Sequence, residues 1–412
     1  MQNKTLGHPR ALQEGISMFL KRCAVISLVA SLIMFVGGMI AAQEISPDSI
    51  ENYLEHFQDL LPPPVEDVPS VLDTDTPLLP SPTGDILVRT MPSSFNELTG
   101  KDEPYAWPGR NFPIWGSVTG GTPPYTYEWD FGVASPSAAG SVANANYIYE
   151  YHAYSTVGIF YARLNVTDNV WDSDTSTVRI RVDSDSQEVR VRAAIGDGLR
   201  YLYLHQGVDG RWSSSNFPGT VTAAVVACFE IHGHFPTNDP ESDIYAERVQ
   251  LGLDYVFTHL DPYSIYSHGP CGDPDLNGNN TGIAHDEYYG GKLTAYSQGI
   301  IMLAIASSYC PDCITTTGPS GVFGRTYKNI LTDMVDQLAF SQTDGGSQRG
   351  GWRYEVRYSS YGSDNSAVQW ASIGLRAAEA PPWDITVRDC YKNELGIWTA
   401  YSQCWDGCFG YV

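Results

Sequence analysis

The chain has 412 residues and a formal net charge of −23, from 47 Asp and Glu against 24 Lys and Arg. That length holds two or three domains, and the acidic balance excludes binding to a nucleic-acid backbone, which needs a basic face. The 26 Tyr and 10 Trp supply aromatic surface for cores or for stacking on sugars.

Residues 1–22 read as a cytoplasmic N-terminal segment. Cys23 to Ala42 is an uncharged apolar run long enough to cross a bilayer as a helix. Lys4, Arg10, Lys21 and Arg22 precede it, and no Lys or Arg follows until Arg89. The positive-inside rule therefore sends everything after residue 42 outside. Ala41-Ala42-Gln43 also offers a signal-peptidase site, so transmembrane anchor and cleaved signal peptide both stand, and export is common to the two. Residues 43–85 are acidic and proline-rich and read as a stalk. Within them PDSIENYLEHFQDLL predicts one amphipathic helix, with Ile50, Leu54, Phe57 and Leu61 on one face.

Residues 86–184 change to strand texture. Phe160, Ala162, Leu164 and Val166 alternate with Tyr161, Arg163 and Asn165, and Val178, Ile180 and Val182 alternate with Arg179 and Arg181. Period two is the mark of half-buried strands. Pro123-Pro124 leads into an aromatic strand whose Trp129 is placed to plug the core between two sheets. GGTPPYTYEWDFG (Gly120 to Gly132) and YHAYSTVGIFYARLNVTDN (Tyr151 to Asn169) together resemble a PKD domain, which implies an immunoglobulin-like β-sandwich on an exported protein. The family writes WDFGDG at the turn, whereas Val133 follows Gly132 here.

From residue 185 to 412 helices alternate with glycine-rich loops. Helices fall near 189–205, 242–260, 325–342 and 388–403, the first with Val191, Ile195, Leu199 and Leu202 at helical spacing. Those in TVTAAVVACFEIHG, TAYSQGIIMLAIASS and SDNSAVQWASIGLRAAE are apolar on most faces, the mark of burial on both sides. A helix ending in Gln, then Gly and an aromatic, occurs three times: Gln206 with Trp212, Gln342 with Trp352, and Gln403 with Phe409. This grammar resembles the repeats of the alpha/alpha-toroid superfamily of terpenoid cyclases and protein prenyltransferases. The resemblance implies an inner and an outer ring of helices around a central cavity. Seven helices against about twelve in a closed ring imply an incomplete toroid, either a truncated product or a half-ring completed by another chain. The expected fold class is thus multidomain: an Ig-like β-sandwich, all-α toroid-type hairpins, and an N-terminal apolar helix.

The chemistries of that superfamily lack their residues here. No DxDD carboxylate cluster, no prenyltransferase zinc site and no GCGEQ thioester occurs in the helical half. In a toroid the lead-ins to the inner helices line the mouth of the cavity. Those segments are HDEYYGGKLTAYSQ and GSDNSAVQW, offering Tyr288, Tyr289, Tyr296, Gln298, Asn365, Ser366 and Gln369. His285 with Asp286 is a candidate acid–base pair, and Asp364 is a candidate site carboxylate or a helix N-cap. Asp273, Asp275 and Asn277, followed by Gly278, reproduce the first half of a calcium loop, with Ala284 where a bidentate Glu belongs. The alternative is an ordinary turn of Asx and Gly residues.

Seven of the eight cysteines follow the apolar run and read as disulfides in an exported domain. A zinc site joining Cys310 and Cys313 to Cys404 and Cys408 is a second possibility. Asn165 and Asn279 head N-x-T sequons. The resulting expectation is an exported, membrane-anchored or secreted cell-surface protein. Its first reading is a non-catalytic, adhesive role towards an extracellular protein or polysaccharide, with no organic cofactor and oligomerisation open. Its rival reading is an exported lyase or hydrolase acting on glycans or lipids in the toroid cavity.

Overall fold

The computed structural model describes residues 85–92, 104–134, 137–144, 147–212, 217–289, 291–358 and 362–411. The apolar run 23–42 and the stalk helix lie outside them. Among the described residues no helix is long and apolar enough to cross a membrane.

Among the described residues eight strands build the sandwich: β1 (Leu87–Thr90), β2 (Tyr105–Ala106), β3 (Phe112–Thr119), β4 (Tyr125–Asp130), β5 (Ala138–Val142), β6 (Ile148–His152), β7 (Gly158–Thr167) and β8 (Ser173–Val182). One sheet runs β1-β3-β6 and the other β2-β8-β7-β4-β5. Pairing is antiparallel except where β2 joins β8. The period-two residues face inward: Ala162, Leu164, Val166, Val178, Ile180 and Val182 are buried around Trp129, which is fully enclosed.

Seven helices follow: α1 (Gln187–Leu204), α2 (Pro218–Ile231), α3 (Ala246–Thr258), α4 (Ala295–Ser307), α5 (Tyr327–Ser341), α6 (Asn365–Glu379) and α7 (Asp389–Ser402). Short strands β9 (Leu260–Ser264), β10 (Thr281–His285), β11 (Tyr288–Tyr289) and β12 (Lys292–Leu293) form two hairpin-like pairs ahead of α4. The helices apolar on most faces, α2 and α4, pack side by side, and α4 packs in turn on α6. Close approach of α4 and α6 depends on glycine, because a Cβ at Gly299 would stand 2.1 Å from the Trp370 carbonyl oxygen. Helices α1, α3, α5 and α7 form the outer layer, so the N-termini of α2, α4 and α6 gather at one end.

The repeated turns share one hydrogen-bond pattern. In the first, the Gln206 side chain donates to the carbonyls of Gly210 and of Arg248 on α3 at 2.8 Å each, and the Trp212 indole donates to Leu202. In the second, Gln342 donates to Gly350 and to Tyr391 on α7, and the Trp352 indole donates to Leu338. Each glutamine therefore ties its own turn to the next outer helix. Both indoles are buried.

The sandwich seals against the helical layer. Arg89, 1 % exposed, pairs with Glu247 of α3 at 2.8 Å, and the Trp115 ring packs on Tyr203 and Tyr245. A cavity of about 30 Å³ lies along this seam, lined by Tyr105, Trp115 and Ala193 among others. It has room for a few waters and for no sugar ring. Two disulfides hold the loops: Cys271–Cys390 links chain segments 119 residues apart, and Cys310–Cys313 closes a short turn. The second bond removes Cys310 and Cys313 from any zinc site, which corrects that possibility.

Glu230 on α2 is fully buried, and neither of its carboxylate oxygens has a hydrogen-bond partner among the described residues. Burial pushes its pKa well above the usual carboxylate range. A raised folded-state pKa means that stability is lost as pH climbs from the unfolded value towards the folded one. Glu230→Gln is therefore expected to exceed the parent by about 1–3 kcal/mol at pH 8, the scale of an unsatisfied buried group. The difference should shrink towards pH 4. Denaturant midpoints measured across that range check this, and a constant difference would assign the effect to packing instead.

Candidate functional site

The mouth is built from the starts of the inner helices. At α2, Pro218 occupies the first turn, where a missing N–H costs nothing. The free N–H groups of Gly219 and Thr220 bond the Glu287 carboxylate, which also accepts from the Thr220 hydroxyl at 2.6 Å. Burial raises the pKa of Glu287, and these donors pull the other way. At α4, Thr294 caps by accepting from Ser297. At α6, Asp364 caps by accepting from the Ala367 N–H at 2.8 Å.

Asp364 does more than cap. It is fully buried, and its Oδ1 also accepts from the Ser366 hydroxyl at 2.5 Å. Its Oδ2 has no hydrogen-bond partner among the described residues, and the Arg353 guanidinium stands 3.8 Å away. Ser366 bonds the Tyr296 hydroxyl in turn, and with its own proton on Asp364 it accepts from that phenol. Tyr296 stacks on Tyr354 with ring centroids 5.7 Å apart, and the Tyr354 and Tyr411 hydroxyls lie 3.1 Å apart. Burial raises the Tyr296 phenol above its usual range, and the bond to Tyr411, followed by burial, raises Tyr354. A buried carboxylate thus communicates through a serine with a stack of phenols that opens to solvent at Tyr411.

A second aromatic group borders the first. The Arg357 guanidinium sits 5.2 Å over the Tyr288 ring and 5.7 Å from Tyr358, and it donates to the Gly291 carbonyl. Tyr288 and Tyr358 are both exposed. Val356 bonds Leu293 and thereby holds this segment alongside β12.

The remaining candidates separate. His285 is fully buried, with Nε2 3.0 Å from the Thr294 carbonyl and Nδ1 accepting from the Glu287 N–H. Burial lowers its pKa to about 4, so it is a neutral structural ring and not an acid–base group of the mouth. Asp286 is partly buried with its pKa raised by burial, and it makes no pair with that ring. Gln298 is buried and donates to the Ile283 carbonyl, so it braces β10. Asn365 spends its amide on the Gly410 carbonyl and accepts from the Trp398 indole. Gln369 is exposed on α6, and Tyr289 lies in β11. Tyr354, Tyr411 and Arg357 escaped the sequence reading because they lie in loops without periodicity. So did His268, whose Nδ1 is 2.6 Å from the Asp344 carboxylate on the turn after α5.

The segment from Asp273 to Asn280 is a ladder of Asx turns. Asp275 accepts from the N–H groups of Asn277, Gly278 and Asn280, while the oxygens of Asn277 and Asn279 accept from Asn279 and Thr281. The Asn277 and Asn279 amide nitrogens donate to the buried Asp333 carboxylate, which Arg325 also holds at 2.7 Å. Nitrogens rather than oxygens converge there, so Asp273, Asp275 and Asn277 do not fit a calcium ligand set. Cys404, Asp406 and Cys408 are the only described group of three metal-ligating side chains whose ligand atoms lie within 4.8 Å of one another. All three are exposed, on the turn after α7.

No family model matches the chain, and no curated protein matches it. Among solved structures, the PKD domain of the human VPS10 domain-containing receptor SorCS2 is similar at 18% identity and a TM-score of 0.18, over 27% of this chain and 80% of that one. A family 76 glycoside hydrolase from a bovine Bacteroides thetaiotaomicron strain is similar at 11% identity and a TM-score of 0.33, over 72% of this chain and 63% of that one. A beta-1,2-glucanase from Parabacteroides distasonis is similar at 11% identity and a TM-score of 0.25, over 64% of this chain and 38% of that one. No residue role passes from these likenesses. The expected non-catalytic, adhesive role is nevertheless corrected. Ionisable groups converge at the starts of α4 and α6, where a purely adhesive scaffold needs only packing.

Asp333 braces the loop at 273–280 through the amides of Asn277 and Asn279. Asp333→Ala would take the carboxylate partner from Arg325 and the acceptor from two amides, and is expected to cost about 3–5 kcal/mol. Millimolar calcium should leave the parent melting temperature unchanged, as thermal melts with and without chelator would report. A calcium-dependent rise lost in Asp275→Ala would reinstate the ion.

Proposed function

We propose that this chain is an exported enzyme that cleaves a polysaccharide at the mouth formed by the N-termini of α2, α4 and α6. The observation that carries this reading is the hydrogen-bonded series Asp364–Ser366–Tyr296, with Tyr354 stacked on Tyr296. Stacked, partly exposed phenols are suited to the apolar faces of sugar rings, and their hydroxyls to sugar hydroxyls.

The series also moves a proton. When Tyr296 takes a proton, either from a water that bonds to the sugar carbon or from a sugar C–H whose electron pair forms a new double bond, the glycosidic C–O bond breaks; the phenolic proton of Tyr296 passes to Ser366, and the Ser366 proton passes to Asp364 Oδ1. The carboxylic acid so formed reverses the sequence to protonate the departing sugar oxygen. Asp364 supplies the proton sink but is sealed from solvent, so Tyr296 is the group that touches substrate. Its raised pKa keeps the phenol protonated between turnovers.

The test uses the purified full chain with neutral and uronate-containing polysaccharides, following new reducing ends together with the ultraviolet absorbance of unsaturated ends. Reducing ends alone identify hydrolysis, and both together identify elimination. Tyr296→Phe keeps the stack but removes the hydroxyl, and should lower the rate by about 10²-fold or more. Ser366→Ala should do likewise by cutting the relay. No cleavage of any polymer, or full activity in both variants, would sink this reading.

A further inference from the structure

Charge at the mouth runs against the charge of the whole chain. Lys292, Arg353 and Arg357 gather there in a protein with 47 acidic residues and 24 basic ones. Arg357 donates to the carbonyl of Gly291, the neighbour of Lys292, and Val356 bonds Leu293, so the segment 353–358 lies along β12. Lys292 is exposed. Of the acidic groups nearby, Glu355 bonds Arg357, both oxygens of Glu287 are spent at the start of α2, and Asp286 lies beside His259 and Asp261. At physiological ionic strength charge is screened beyond about 8 Å. The local cations therefore decide which polymer settles here, and the net charge of −23 does not.

Arg353 and Tyr296 flank one carboxylate through its two oxygens. Asp364 Oδ1 holds Ser366, which bonds the Tyr296 hydroxyl, and Asp364 Oδ2 faces Arg353 Nε at 3.8 Å. At that distance the ion pair is not hydrogen-bonded, and the Arg353 side chain is 48 % exposed, so its N–H groups are open to a ligand. The guanidinium carbon lies 5.9 Å from the centroid of the Tyr354 ring, the ring that stacks on Tyr296. A planar guanidinium fork matches a carboxylate with two parallel hydrogen bonds. Hydrolysis, by contrast, uses two carboxyl groups on either side of the glycosidic bond. The carboxylates at the starts of α2 and α6 are a fully bonded Glu287 and a sealed Asp364.

Resting on the reading of this mouth as a cleavage site, we infer that its substrate is a uronate-containing polysaccharide cut by elimination, with Arg353 holding the carboxylate of the sugar that loses a proton. In a uronate linked through C4, the C5 carbon bears both the carboxylate and a hydrogen. A carboxylate anchored at Arg353 brings that hydrogen within the short span that separates Arg353 from Tyr296 around Asp364. Tyr296 takes the C5 proton, and the C5–H electron pair becomes the C4–C5 double bond. The C4–O4 bond breaks with its electrons on O4. The proton stored on Asp364 returns through Ser366 and Tyr296 to that oxygen, and no water is consumed. As the C5 proton leaves, negative charge spreads onto the sugar carboxylate, and the guanidinium neutralises it where it develops. Lys292 and Arg357 are placed for carboxylates of neighbouring sugars, and the exposed Tyr288 and Tyr358 rings beside Arg357 for their apolar faces.

The test offers the purified full chain polygalacturonate, alginate and hyaluronan beside the neutral polymers dextran and mannan. Reducing ends should form only from uronate polymers, matched one for one by the ultraviolet absorbance of unsaturated ends. Arg353→Gln should lower that rate by about 10²-fold or more, and Arg353→Lys should fall between the two. The methyl ester of the cleaved polymer has no carboxylate charge to neutralise, so on it the Gln variant should stay within about threefold of the parent. The ratio of acid to ester rates should thus drop by at least about tenfold in that variant. An equal loss on acid and ester would make Arg353 a structural residue and overturn the inference. Reducing ends without absorbance, from any polymer, would overturn elimination while leaving the cleavage site in place, whereas no cleavage of any polymer would remove both.

Discussion

The helical half depends on one hydrogen-bonded device: a glutamine amide that donates at once to its own turn and to the next outer helix. A carbonyl in the first turn of a helix keeps a second lone pair beyond its intrahelical bond, and a buried amide without partners is costly. Satisfying both fixes the spacing between neighbouring hairpins. The glycine in each turn lets the backbones touch, and the indole covers the contact while donating to a carbonyl near the helix end. With the outer helices spaced in this way, the inner helices are held parallel and their N-termini share one end. The mouth is a consequence of that spacing.

Helix N-termini concentrate unpaired N–H groups and positive potential, so carboxylates settle there. Glu287 at α2 and Asp364 at α6 both do so, yet their situations differ. Glu287 spends both oxygens on N–H and hydroxyl donors, which makes it a clamp between α2 and the hairpin before α4. Asp364 spends one oxygen, and the other has no hydrogen bond among the described residues. A half-satisfied buried carboxylate is a cost to folding that a function explains better than packing does. Its links to the surface run through Ser366 and the phenols on one oxygen and past Arg353 on the other.

Much of the scaffold was legible in the sequence because its signals are periodic. Alternation located β7 and β8 and their inward residues, and helices apolar on most faces located α2 and α4 within a few residues of their observed ends. The Gln, Gly and aromatic of each turn could be read because side-chain type dictates the contact. The site was legible only in part. Tyr288, Tyr296, Ser366 and Asp364 adjoin helix starts that periodicity had fixed, whereas Tyr354, Arg357 and Tyr411 come from loops brought in by long-range packing. His285 misled because a histidine beside an aspartate looks alike whether sealed or exposed. The Asx-rich loop misled for a related reason. Asp and Asn at alternate positions suit a calcium ion and a ladder of turns equally, and only the buried Asp333 beneath them decides between amide nitrogens and oxygens facing inward. The Cys271–Cys390 bond could not be chosen from composition, since pairing is set by which loops meet.

The sandwich has a place in this logic as well. An outer helix presents carbonyls and small residues along the face that receives the preceding turn, and α1 has no preceding turn among the described residues. Tyr105, Arg110 and Trp115 of the sandwich occupy that face instead, with Arg192 of α1 bonded to Tyr105 and Arg89 buried against Glu247. A repeat array needs its terminal face covered because a stacked hairpin buries its apolar side only against a neighbour. The sandwich supplies that cover at α1. At α7 the corresponding turn bears Trp405, Phe409 and Tyr411 in solvent. Asn365 carries the asymmetry back to the mouth: it fixes the Gly410 carbonyl and so places Tyr411 against Tyr354, which makes the order of the exposed edge and the order of the phenol series one problem.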